Sequence, residues 1–151
     1  MSTDGVGYRE RLWPSPGVWL AGAGFGAAFG LVALPFGRVP GVLAAVLGVA
    51  VVALLLARTA TVVEVRDGEL RAGRARLPLA VAGAVTPLDR ARMRHENGVG
   101  LDARAYLCLR GWVPGGVRVE LSDPADPAPY WLVSSRHPAE LARAAGTARA
   151  K

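Results

Sequence analysis

The chain has 151 residues and a formal net charge of +6, and hydrophobic residues make up 52% of it. This length corresponds to about one domain, and the single cysteine, Cys108, excludes an intramolecular disulfide. The positive charge comes almost entirely from arginine, since Lys151 is the only lysine. We give this preference for arginine no mechanistic weight.

The first segment, residues 1–16, is short and polar, and it carries Arg9 and Arg11 just before a long apolar run. A basic start followed by apolar and small residues also fits a signal peptide. A second apolar run directly behind the first argues against cleavage, so we expect both runs to be retained. Trp13 and Trp19 bracket the start of the first run, where amphipathic aromatic residues favour the headgroup layer.

Residues 17–57 predict a transmembrane helical hairpin. A helix that crosses the hydrocarbon core needs roughly 20 predominantly apolar residues. Residues 17–36 and 39–57 supply two such stretches, and Arg38, between them, is the only charged residue in the whole segment.

The distribution of arginines around the hairpin predicts its orientation. The short turn carries Arg38 alone, whereas the outer ends of the two spans are flanked by Arg9, Arg11, Arg58 and Arg66. The positive-inside rule therefore places both termini in the cytoplasm. We expect a multi-pass protein of the plasma membrane.

Small residues mark one face of each predicted span. Gly22, Gly26 and Gly30 recur every four residues in the first span, and Gly48 belongs to a matching small surface in the second. Small residues allow two helix backbones to approach closely. We interpret these glycines as the surface on which the hairpin packs against itself, with a dimer seam as the alternative.

After Arg58 the alternation becomes typical of strands, and Asp67-Gly68 is a strong hairpin signal. The predicted strands span residues 61–66, 69–73, 74–79, 80–88, 104–110, 117–121 and 130–135, and residues 89–103 predict a polar loop. Pro138 and Glu140 suit the start of a final helix. We therefore expect an α+β membrane protein in which a small all-β domain, a barrel or alternatively a sandwich over residues 58–151, follows the hairpin and is capped by a C-terminal helix.

Several stretches carry a resemblance to known families. They are residues 8–13 (YRERLW), 61–71 (TVVEVRDGELR), 78–79 (PL), 105–113 (AYLCLRGWV), 116–121 (GVRVEL) and 123–135 (DPADPAPYWLVSS). The order of elements is similar to the pleckstrin-homology-like fold in its bacterial membrane-attached versions. More closely, the chain resembles a family of small two-span actinobacterial membrane proteins of unknown function. The resemblance implies no catalytic residues, because none are established for that family.

The sequence predicts no catalytic, cofactor or metal site. His95 and His137 do not have the spacing of a metal-ligand pair, and one cysteine cannot build a structural zinc site. Ser134 and Ser135 have no nearby base, so no nucleophile arrangement is visible. We expect a protein without cofactors that is not an enzyme.

Six arginines form the main group of basic residues in the predicted β-domain: Arg71, Arg74, Arg76, Arg90, Arg92 and Arg94. At a cytoplasmic membrane they are candidates to contact anionic lipid headgroups, where each basic residue contributes about 1 kcal/mol. The alternative is a solvated surface with scattered acidic residues. Nucleic-acid binding is not expected, because the interleaved aromatic residues of a single-strand platform are missing.

Trp112 is the candidate for a partner surface. The sequence RGWVPGG at residues 110–116 predicts a turn that presents the indole. The alternative is a place in the core or at the rim of the barrel, since aromatic residues dominate small cores.

Together these patterns predict a non-enzymatic module anchored in the lipid bilayer. Its cytoplasmic β-domain would bind a protein partner, anionic lipid headgroups or a second copy of itself. The alternative is an accessory subunit of a larger membrane complex, in transport or in the envelope stress response, whose spans pack against other subunits.

Overall fold

The computed structural model describes residues 6–123 and 126–150. The chain is α+β, with two long apolar helices and two small sheets. It divides into two compact units: a helical unit, Trp13–Ala60, and a β-domain formed by the residues on both sides of it. The β-domain is therefore discontinuous in sequence.

The β-domain begins with a strand that the sequence did not predict. Strand β1 (Val6–Leu12) pairs antiparallel with strand β2 (Thr61–Arg66), and Leu12 lies opposite Thr61. The sequence predicts a separate polar segment over residues 1–16, but residues 6–12 belong to the sheet. The segment gives little strand signal because three of its seven residues are charged and its pairing partner is remote in sequence.

In the order of the chain, the helical unit follows β1 and precedes β2, and it is a helical hairpin. It consists of α1 (Pro16–Ala33), a 3₁₀ turn (Leu34–Phe36) and α2 (Arg38–Arg58). By length and composition both helices can cross a membrane, with a mean hydropathy of 1.8 for Pro16–Phe36 and 2.7 for Arg38–Arg58. They agree with the predicted spans within the uncertainty of helix ends.

The first sheet is antiparallel and runs in the order β1-β2-β3-β4, with β3 (Glu69–Ala72) and β4 (Ala75–Pro78) following β2. Asp67 and Gly68 connect β2 to β3 and both have positive φ, at 52° and 74°. A two-residue hairpin turn of type I′ requires that conformation at both positions, so the Asp-Gly signal acts as predicted.

The second sheet runs in the order β5-β7-β8-β6. Its strands are β5 (Ala82–Leu88), β6 (Tyr106–Cys108), β7 (Gly116–Leu121) and β8 (Tyr130–Ser134). The short β6 pairs in parallel with β8, and the other pairings are antiparallel.

Of the two predicted arrangements of the β-domain, the barrel is wrong for the residues that the structure describes. Their strands form two separate four-stranded sheets that share a core, with no ladder joining one sheet to the other. Alternation along each strand shows which face is buried, but it does not show whether the edge strands pair. The core includes Val63 and Leu70 from the first sheet, Val117 and Val119 from the second, and Leu141 from the last helix.

Two helices complete the β-domain. The prediction of a loop over residues 89–103 is wrong in its first half, where α3 (Arg90–Glu96) forms after the cap residue Asp89. Met93 is the one buried residue of α3, so the helix has no apolar periodicity that could have revealed it. The predicted last helix is present as α4 (Pro138–Arg149), which buries Leu141 and Ala145.

Candidate functional site

The hairpin packs through the glycines singled out from the sequence. A Cβ at Gly26 would lie 2.6 Å from the backbone nitrogen of Val49, and one at Gly30 would lie 2.7 Å from the Cβ of Ala45. A Cβ at Gly22 would lie 2.8 Å from Leu56, and one at Gly48 would collide with the backbone of Gly26. These glycines therefore bring α1 and α2 together within one chain.

The outer sides of the hairpin are apolar and exposed. Among the described residues, the large hydrophobic side chains that are exposed lie in Trp13–Ala60, apart from Val99 and Leu107. Phe36 is 81% exposed and Leu20 is 75% exposed. Contiguous apolar surface of this kind marks a membrane or protein interaction site.

The structure distributes the six arginines over different surfaces. Arg71, on β3, forms ion pairs with Glu69 at 3.1 Å and Glu64 at 3.5 Å. Arg74 and Arg76 are exposed at the β3–β4 turn and on β4. The remaining three, Arg90, Arg92 and Arg94, are exposed on α3.

Two of the α3 arginines line a cleft with Trp112. Arg90 and Arg94 lie four residues apart on one helix face, and the opposite wall is the β6–β7 loop with Arg110 and Trp112. The cleft has a volume of about 350 Å³, and none of its lining residues in the described part of the chain is acidic. We call this place the arginine cleft, defined by these four residues.

Hydrogen bonds fix the loop wall of the arginine cleft. The N–H of Val113 donates to the carbonyl of Arg110 at 2.8 Å, which closes a tight turn around Gly111 and Trp112. The backbone N–H of Arg110 donates to the buried Ser134 hydroxyl at 3.0 Å. The Arg110 guanidinium donates to the carbonyl of Leu109 at 2.7 Å and to Thr61 Oγ1.

Trp112 combines features of both predicted roles. The side chain packs against the main core and also lines the cleft. Its indole Nε1 is buried and has no hydrogen-bond partner among the described residues. Buried donors are normally paired, so this unpaired N–H is an exception within the described part of the chain.

The helix wall is fixed by its cap and by its buried side. The Asp89 side chain accepts a hydrogen bond from the N–H of Arg92 at 2.8 Å, and Met93 packs beside Leu88. At the other end, Glu96 forms an ion pair with Arg118 at 2.6 Å. The Arg118 guanidinium also lies 4.0 Å from the ring centre of Tyr130, a cation–π arrangement.

Arg92, on the same helix, does not line the arginine cleft. It lines a second cleft of about 670 Å³, together with His95, Glu96, Arg118 and Glu120. The two carboxylates balance the charge of the two arginines there. Neighbouring positions on α3 thus differ in their electrostatic surroundings.

A partly buried polar cluster, which the sequence did not predict, joins β1 to the segment between β8 and α4. Glu10 Oε2 accepts hydrogen bonds from the hydroxyls of Tyr8 and Ser135, each at 2.7 Å. Glu10 Oε1 accepts the backbone N–H of Arg136 at 3.1 Å. We call Tyr8, Glu10 and Ser135 the clasp. Both of its segments, YRER and VSS, lie in the stretches that carry the family resemblance.

Neither the clasp nor Cys108 has the features of a nucleophilic site. Ser135 is fully buried and donates to Glu10, so its hydroxyl is committed to the fold. Burial raises the pKa of the Cys108 thiol above its ordinary value, whereas reactive cysteines have a lowered pKa. Among the described residues there is no group of three or more metal-ligating side chains.

One comparison with known proteins gives a match. A family model described as "Protein of unknown function (DUF3093)" matches residues 7–145, which include most of β1, the hairpin, both sheets and part of α4. No curated protein and no solved structure matches the chain.

Proposed function

We propose that this chain, which belongs to the DUF3093 family of proteins of unknown function, is a membrane-anchored, non-enzymatic binding module. The hairpin is the anchor, and the β-domain binds its partner at the cytoplasmic surface of the plasma membrane. The observation that carries this proposal is the exposed apolar surface of α1 and α2.

The exposure of the hairpin argues for lipid as its surroundings. Only 11% of the most apolar window of Pro16–Phe36 is buried, and only 6% of that of Arg38–Arg58. A core helix of a water-soluble protein would be mostly buried. Each large apolar side chain left in water forgoes about 1.5–3 kcal/mol of burial free energy, and a bilayer removes that cost.

The strand pairing supports a hairpin with both ends on one side of the membrane. Because Leu12 lies opposite Thr61, the chain leaves the sheet and returns to it at neighbouring positions. The pairing of β1 with β2 does not depend on the hydropathy of the helices. The arginines that flank the two spans, Arg9, Arg11, Arg58 and Arg66, then favour the cytoplasmic side.

We further propose that the β-domain is pleckstrin-homology-like. Two four-stranded sheets on one core, followed by a helix that packs against that core, support this interpretation. Strand β1 supplies the first sheet with its fourth strand, so the segment YRER belongs to the domain rather than to a tail.

Extraction of cell membranes tests the anchor. We expect the full chain to remain in the membrane pellet after washing with alkaline carbonate or high salt, and to dissolve only in detergent. A peripheral protein held by its net charge of +6 would be released by salt. Recovery of the intact chain in the soluble fraction would contradict the proposal.

A further inference from the structure

We infer that the arginine cleft binds a phosphate group, carried either by an anionic lipid headgroup or by a soluble phosphate ester. The inference deepens the proposed function, since a lipid source requires the domain to be held at the membrane. A soluble phosphate ester does not require the domain to be held at the membrane. Titrations in nanodiscs of two lipid compositions distinguish these two sources of the phosphate.

Uncompensated charge is the first observation behind this inference. Arg71, Arg104 and Arg118 each form an ion pair with a carboxylate in the described part of the chain. Arg90 and Arg94 form none among the same residues, and no acidic side chain lines their cleft. Arg110, whose guanidinium donates to the carbonyl of Leu109 and to Thr61 Oγ1, adds a third positive charge to the lining. Such a place attracts an anion.

The type of donor favours phosphate over other anions. Guanidinium groups are planar and donate two parallel hydrogen bonds to the oxygens of a phosphate. Arg90 and Arg94, four residues apart on one helix face, provide two such groups. The cleft thus offers guanidinium groups from α3 on one wall and from the β6–β7 loop, at Arg110, on the other.

Size and rigidity fit a small ligand. A volume of about 350 Å³ lies at the lower end of the range for small-molecule sites, roughly 300–1,000 Å³, and holds a phosphate with a glycerol-sized substituent. Both walls are fixed, one by the turn at residues 110–113 and the other by Met93 and the Asp89 cap. The backbone segments that carry the arginines are therefore held in position before binding.

The second cleft supplies a matched control. Arg92 lies on the same helix, but its cleft also contains Glu96 and Glu120. Arg74 is exposed at the β3–β4 turn, and it does not line the arginine cleft. The pair Arg74→Gln/Arg92→Gln removes as much charge as Arg90→Gln/Arg94→Gln does, but from outside the arginine cleft.

The experiment uses the full chain in phosphatidylcholine nanodiscs, titrated calorimetrically with inorganic phosphate and with glycerol phosphate. We expect the wild type to bind, and we expect Arg90→Gln/Arg94→Gln to weaken binding by about tenfold or more, the loss of at least one charge-assisted bond. The control pair should stay within about twofold.

Replacing part of the phosphatidylcholine by phosphatidic acid identifies the source of the phosphate. Competition with the soluble ligand indicates the lipid headgroup, and undiminished binding indicates a soluble ester. The inference is overturned if the wild type binds neither soluble ligand, if the cleft variant binds as the wild type does, or if the control pair loses as much affinity. If the chain enters nanodiscs but binds neither soluble ligand, the inference fails while the proposed membrane anchor is unaffected.

Discussion

Replacing residues 13–60 by Asn-Gly is expected to give a water-soluble, folded β-domain. Leu12 and Thr61 are paired neighbours on adjacent strands, so a two-residue type I′ turn can join them in place of the hairpin. By contrast, the fragment 58–151, which lacks β1, should not fold stably. The sequence alone would have chosen that fragment as the domain.

The expected difference between these two chains is large. Leu12 is 0% exposed, and truncating a buried leucine to alanine alone costs about 2–5 kcal/mol. Loss of β1 also removes its ladder to β2 and its two residues of the clasp. Domains have only about 5–15 kcal/mol of stability in total.

Urea unfolding followed by circular dichroism, with gel filtration of both chains, measures this difference. The Asn-Gly chain should unfold cooperatively as a monomer, and the fragment 58–151 should show no cooperative transition or should aggregate. A fragment that unfolds at the same urea concentration as the Asn-Gly chain would show that β1 is dispensable.

Glu10→Ala is the second substitution with a large expected effect. It removes the acceptor of the Tyr8 hydroxyl, the Ser135 hydroxyl and the Arg136 N–H, and Ser135 is fully buried. Leaving a buried donor unpaired costs about 1–3 kcal/mol. We therefore expect a loss of about 2–3 kcal/mol from the free energy of unfolding.

Thermal unfolding of the full chain in detergent measures this loss. The matched control is Glu69→Ala, which removes a half-buried glutamate whose partner is Arg71 on the same strand. Its ion pair should contribute about 0–1 kcal/mol. Equal melting temperatures for the two variants would contradict a structural role for the clasp.

The clasp also predicts that the free energy of unfolding falls with rising pH in the alkaline range. The pKa of the Tyr8 hydroxyl is raised above its ordinary value of 10.0, and burial is the largest cause. The folded state therefore keeps the proton that the unfolded chain releases. This stabilisation is fully present below pH 10 and declines as the pH rises above it. In Tyr8→Phe the decline should be shallower, as measured by unfolding at pH 9 and pH 11.

The sequence predicted secondary structure correctly where the pattern lies within a single element. Residues 17–57 are apolar over two full spans, and Asp67-Gly68 specifies its turn through positive φ. Both features depend on residues that are adjacent in the chain. Their structures follow from composition and local backbone chemistry.

The sequence was less informative where distant segments meet. Glu10 and Ser135 are separated by 125 positions, so no local pattern connects them. The strand character of β1 depends on pairing with residues beyond the hairpin. Arg90, Arg94 and Trp112 were each singled out, but as parts of two different surfaces. Only the packing of α3 against the second sheet brings them to one cleft.

Measuring the orientation of the hairpin in the membrane is the most direct test of the proposed membrane-anchored module. We would place single cysteines at Phe36, in the turn between α1 and α2, and at Asp67, in the β2–β3 turn, with Cys108 replaced by serine. In intact cells a membrane-impermeant maleimide should label Phe36→Cys, and it should label Asp67→Cys only after permeabilisation. Labelling of Asp67→Cys from outside, with Phe36→Cys protected, would contradict a β-domain held at the cytoplasmic face.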